Sequence, residues 1–126
     1  MIYRHTVIWE DSGYTVLARI LGHDGTAITQ SDVSGTIAWT VAERSAPDTV
    51  VTSGTVAIAD TVYDALQTND ARWTKDTTGF NFAAAMAVDT VPTGSKTYHL
   101  RFTFTPSSGA VYQFPVILPT RNLLGV

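Results

Sequence analysis

The sequence predicts an all-β protein: a β-sandwich of about seven to eight strands with one short helical turn. Three observations predict it. Threonine is the commonest residue, with 20 copies, and β-branched side chains such as threonine and valine suit a pleated, half-buried surface. Charged residues make up only 15%, against roughly 25% in an average soluble domain. Lysine occurs only as Lys75 and Lys96, and long amphipathic helices normally bring more leucine, glutamate and lysine. Short alternating apolar runs recur between breaks rich in Gly, Pro and Asp, the spacing of a sandwich, with a small closed barrel as the alternative.

The elements follow in order. A strand is expected over 3–9, ended by the turn Glu10-Asp11-Ser12-Gly13. Over 14–21, Tyr14, Val16, Ala18 and Ile20 form the better core face, leaving Thr15, Leu17, Arg19 and Leu21 outward. Residues 22–35 read as loop. Over 36–41, Ile37, Trp39 and Val41 alternate with Thr36, Ala38 and Thr40, which makes Trp39 a core residue. Pro47 breaks that strand. The stretch 49–59, interrupted at Ser53-Gly54, is one bent strand or a hairpin. Thr61 and Asp64 fit a capping box with Val62 and Leu66 four apart, which predicts the helical turn over 62–68.

Residues 80–88 form the next strand. The sharpest period in the chain is at 97–104, with Tyr98, Leu100, Phe102 and Phe104 against Thr97, His99, Arg101 and Thr103. The break 105–109 joins it to 111–118 as a terminal hairpin. Pro115 has no N–H to donate, so the last strand is an edge there.

A chain of 126 residues and 13.6 kDa is one domain by its size, spanning 1–126 with short N- and C-terminal extensions. Mean hydropathy is +0.08, net charge -3 and pI about 5.4; these argue for a folded chain and against nucleic-acid binding. No cysteine is present, which removes disulfides, zinc ribbons and thiol catalysis. No stretch approaches the roughly 20 apolar residues of a membrane span, and no signal peptide precedes the first strand. Beginning at Met1, the chain reads as a complete product made and kept in a cytosol.

Catalytic and cofactor motifs are missing. Neither phosphate-cradling loop occurs, nor the nucleophile elbow. His5, His23 and His99 show no metal-ligand spacing. Asp60, Asp64, Asp70 and Asp76 cluster in sequence but read as caps and turn formers. No enzyme, metal or cofactor is expected. Trp73, in the polar loop 69–74, is either a sugar-stacking platform or a lid folded back on the sandwich. Trp9 serves the core or a contact.

The positive clue is an under-charged surface. Many outward strand positions carry Thr, Ala or Leu, where a free monomer usually carries Lys or Glu. Both ends are apolar beyond the strand pattern. Ile2, Tyr3, Trp9, Leu123 and Leu124 are therefore the candidate interaction residues, packed on their own domain or reaching neighbours.

The stretch 61–118 resembles the immunoglobulin-like sandwich domains of tailed-bacteriophage virion proteins. The residues that carry the resemblance are 76–82, Asp-Thr-Thr-Gly-Phe-Asn-Phe, then Gly94 with the strand 98–105, then Gly109 and the aromatic strand 112–116. Thr61 to Thr68 followed by Trp73 resembles such proteins too. In this likeness Phe82 stands where antibody domains have a cysteine. The resemblance implies an immunoglobulin-like antiparallel β-sandwich and a virion component assembled in the host bacterial cytoplasm, most simply a capsid decoration or cement protein. Its partners would be the major capsid protein or other virion proteins, as a homo-oligomer or bound to a lattice, with no nucleic acid and no membrane. A neck, tail or baseplate adaptor of the same fold and a carbohydrate-binding module are the alternatives.

Overall fold

The computed structural model describes residues 3–5, 7–9, 12–22, 25–87, 90, 94, 96–107 and 111–121. Among them the chain forms nine strands: β1 Tyr3–Arg4, β2 Ile8–Trp9, β3 Tyr14–Ala18, β4 Thr36–Glu43, β5 Val50–Ala57, β6 Val62–Gln67, β7 Phe80–Met86, β8 Thr97–Phe104 and β9 Tyr112–Arg121. β1 lies opposite Val116 and Ile117, and β2 opposite Thr120 and Arg121. They form one interrupted strand, which makes eight in all.

The larger sheet has the order β1-β9-β8-β4-β5, with β2 also on β9; the smaller is β3-β7-β6. Taken in chain order, this places strands B, E and D of an immunoglobulin-like sandwich on one sheet and G, F, C and the extra C′ on the other. Every pairing is antiparallel except that of β1 and β2 with β9, which is parallel. That exception departs from the wholly antiparallel expectation. It arises because the first and last strands are neighbours joined by the whole domain, a crossover long enough to permit parallel pairing.

Alternation decides which faces meet. Leu100, Phe102 and Phe104 of β8, Ile37 and Val41 of β4, and Val116 and Leu118 of β9 are buried against Val16 of β3 and Phe82 and Ala84 of β7. The Phe82 ring lies 5.0 Å from that of Phe102 and 5.5 Å from that of Phe104, edge to face in both cases. The two sheets therefore share one core, and each such ring contributes roughly 2–3 kcal/mol by leaving water.

Tyr98, also buried, stands two residues before Leu100 on β8, the spacing of the tyrosine corner ahead of the second antibody cysteine. That cysteine position on the F strand falls to Leu100. Phe82 lies on the E strand, so its proposed equivalence to an antibody cysteine is corrected.

Three local expectations change. The predicted helical turn at 62–68 is strand β6, and the helical turn occupies Ile58–Thr61 just ahead of it. The capping box fails because Thr61 Oγ1 donates back to the Ala57 carbonyl at 2.8 Å, while Asp64 accepts the Gln30 N–H at 2.7 Å from a 3-10 turn at Gln30–Asp32. Of the two readings of 49–59 the single strand holds: Val50–Ala57 runs through Gly54, with a bulge at Val51 opposite Val41 and Ala42. Gly54 is where β4 and β5 bring Trp39 close: a Cβ there would meet the Trp39 ring at 2.7 Å. Trp39 consequently lies over its cross-strand neighbour and is half-buried, packed against the core but not enclosed by it. Leu17, expected outward, is buried by the 68–79 loop.

Candidate functional site

The outer face of the larger sheet is built by residues of one parity on four strands. Cross-strand register sets them in rows. Thr55, Ala38, Thr103 and Gln113 form one row; Ser53, Thr40, Arg101 and Pro115 the next; Val50, Ala42, His99 and Ile117 the third; Thr97 and Pro119 close it. Arg101 is the one residue of permanent charge in these rows, and it makes no ion pair among the described residues. His99 is half-buried in the middle of the face, and its Nε2 is shielded from solvent with no hydrogen-bond partner. These rows hold no carboxylate and are mostly Thr, Ala, Pro and other uncharged residues, which places few charges in the way of a flat protein contact.

Exposed apolar side chains lie at both ends of this face. Where β4 and β9 finish and β5 begins are Trp9, 48% exposed, Val7, 49%, and Val50, 53%. Glu43 and Lys96 form an ion pair at the same end. At the opposite end, where β9 begins, Leu21 and Val111 are 47% and 53% exposed on either side of a groove.

Of the five candidate interaction residues, Ile2, Leu123 and Leu124 lie outside the described residues. Tyr3 is placed by its backbone in β1, opposite Val116. Trp9 faces outward in β2, opposite Arg121. The structure adds Val7, Val50 and Val111 to the candidates. Val111 was legible, because the β9 parity that buries Phe114, Val116 and Leu118 to differing degrees sends Val111 and Gln113 the other way.

Trp73 is the lid of the smaller sheet. Its ring centroid lies 5.6 Å from that of Phe80, tilted by 43°, and Tyr63 meets Phe80 edge to face at 5.9 Å. Together they cover Leu17, Phe80 and Ala83. Trp73 Nε1 donates to Asp76 at 3.1 Å. Packed at a tilt against Phe80 and with its polar edge engaged, Trp73 is a weak sugar platform.

The acidic residues hold this region together. Asp70 accepts from Arg72 Nη2 at 2.7 Å and Nε at 3.1 Å, and these bonds hold its carboxyl down at about 2. Partial desolvation pushes the Asp76 carboxyl up, but bonds from Arg19, Trp73 and the Gly79 N–H outweigh it and hold it at about 2. On the core side, burial pushes the Tyr14 hydroxyl up to about 12 despite its bond from Thr90. Among the described residues no group of three or more His, Cys, Asp or Glu side chains is arranged to hold a metal ion. Among the described residues no helix is long and apolar enough to cross a membrane. No protein-family model matches this chain, and no curated protein or solved structure matches it either.

Proposed function

We propose that this chain is a structural protein of a tailed-bacteriophage virion, a capsid decoration or cement protein that binds across seams between shell subunits. The observation that carries the reading is the outer face of the larger sheet: rows mostly of Thr, Ala, Pro and other uncharged residues, with Arg101 and no carboxylate, flanked at both ends by exposed apolar side chains. Such a face gives weak contacts, and symmetry multiplies weak contacts over a shell. The resemblance of 61–118 to virion domains supplies the kind of assembly, and the immunoglobulin-like strand order agrees with the fold that resemblance implies. Arg101 favours an acidic patch on the partner. The carbohydrate-binding reading loses support because Trp73 is turned onto Phe80.

The test is quantitative mass spectrometry of purified particles, paired with a binding assay. Hundreds of copies per particle are expected for a shell component. About a dozen or fewer would mean a neck, tail or baseplate adaptor, whose symmetry is that of one vertex. Absence from particles overturns the reading. The double variant Thr40→Glu/Arg101→Glu places carboxylates in the middle row; it should keep its melting temperature and lose attachment to particles.

A further inference from the structure

Beyond this assembly reading, and independent of it, the start of β9 has an edge that no strand pairs among the described residues. β9 runs from Tyr112, but β1 joins it only at Val116. Ahead of that point, no described strand covers the outer edge of β9. The His5 N–H donates to the Ile117 carbonyl at 2.9 Å, so the odd-numbered residues of β9 turn their main-chain groups toward this edge. Pro115 is one of them, where a missing N–H costs no ladder bond. Gln113 is the next, and its N–H and C=O face outward in line with the β1 ladder.

The facing edge belongs to β3, the end strand of the smaller sheet. His5 Nε2 donates to the Thr15 carbonyl there at 3.0 Å, which leaves Leu17 as the next residue of that parity. Between these two edges runs a groove of about 340 Å³, lined by Ile20, Leu21, Phe104, Val111, Tyr112 and Phe114. The charged residue at its rim, Arg19, is engaged by Asp76 and the Gly79 carbonyl.

We propose that this groove takes an extended segment of a partner protein, added as a strand along β9 at Gln113 in the line of β1, with uncharged apolar side chains at alternate positions filling the space between Leu21 and Val111. Strand addition of this kind draws affinity from main-chain bonds and specificity from pockets for every second side chain. The apolar lining and the engaged Arg19 select against a charged inward face. An exposed edge of this sort is otherwise a liability that folds cover or charge.

The test uses the full chain, isotope-labelled, with an acetylated and amidated heptapeptide of alternating threonine and valine as probe. The same peptide with glutamate in place of valine is the control. Amide exchange at Gln113 should be fast in the free protein and slow by about tenfold or more with millimolar probe, with shifts at Leu21 and Val111. The control should do neither. Gln113→Pro removes the edge donor and should abolish the shifts at Leu21 and Val111 without lowering the melting temperature; Leu21→Glu should do the same by blocking the groove. Slow exchange at Gln113 in the free protein overturns the proposal, because the edge is then already paired. So does concentration-dependent protection without probe, which would make the occupant a second copy. No response to the probe, or shifts without protection at Gln113, overturns it as well.

Discussion

Arg19 Nη1 donates to both carboxylate oxygens of Asp76, at 3.0 and 2.9 Å, across 57 residues of chain. The same carboxylate accepts from Trp73 Nε1 and from the N–H groups of Thr78 and Gly79. One side chain thus fixes the loop 68–79 against β3 and holds Trp73 over Leu17, Phe80 and Ala83. Without this cover the outer face of the smaller sheet, with Leu17, Phe80 and Ala83, would be open to solvent.

This linkage gives a pH signature. The Asp76 carboxyl sits at about 2 in the folded chain, below its ordinary 3.8. A depressed carboxyl contributes stability that is present in full above the unfolded value and is lost as pH falls through the folded one. The advantage of the wild type over Asp76→Asn should therefore be constant above about pH 5 and vanish as pH falls toward 2. Denaturant melts of both proteins at several pH values measure it. A difference that persists unchanged at pH 2 would mean that the charge plays no part.

Gly79 closes the same loop with φ +96°, and a Cβ on it would run into the Gln67 carbonyl. Backbone cannot swing aside as a side chain can. Gly79→Ala should cost about 2–4 kcal/mol, combining left-handed strain with the clash. Gly25→Ala, also at positive φ but with nothing within 4 Å, should cost about 1 kcal/mol. Equal losses at the two sites, by urea titration, would show that the Gln67 contact is not felt.

Asn81 is buried and makes three bonds to two separated pieces of backbone. It accepts from the Ile20 N–H at 2.7 Å and donates to the carbonyls of Ile20 and Ile28 at 2.9 and 2.8 Å. The loop from Leu21 to Ala27, itself closed by a bridge, hangs on this amide. Asn81→Leu takes the side-chain partner from the Ile20 N–H and the Ile28 carbonyl, while the Ile20 carbonyl still accepts from the Ile28 N–H at 3.0 Å; it should cost about 2 kcal/mol or more. Asn81→Asp should fare no better, since a carboxylate cannot donate to either carbonyl. A variant that melts within about 0.5 kcal/mol of the wild type would mean that water replaces the amide.

How much of this was legible depended on whether the deciding contact was local. The faces of β4, β8 and β9 followed from period-two alternation, and Pro115 marked where, among the described residues, no strand pairs the outer edge of β9. Asp64 was misread because its partner, the Gln30 N–H, is 34 residues away; near Thr61 the sequence offers only the capping-box spacing. Leu17 had the parity of an outward residue and is outward from the main core. It packs with Phe80 of β7 and is covered by Trp73, which reaches it through a loop pinned by Arg19 and Asp76. The rows on the outer face needed register between strands far apart in sequence, and no single strand contains that information.

Trp9 separates stability from attachment most sharply. It is nearly half exposed at the end of β2, opposite Arg121, at the edge of the outer face. It stands outside the buried clusters and their partly buried neighbours, so Trp9→Ala should change the melting free energy by no more than about 0.5 kcal/mol, as surface substitutions do. Tryptophan at the centre of a protein contact commonly costs 2 kcal/mol or more when truncated, so attachment to particles should weaken by about thirtyfold. Val50→Ala, at the same end, should weaken it only about threefold, in keeping with the smaller area lost. The measurement is particle binding by each purified variant alongside its denaturant melt. Strong destabilisation with binding lost in proportion would place Trp9 in the core, and unchanged binding at unchanged stability would remove this end of the sandwich from the interface.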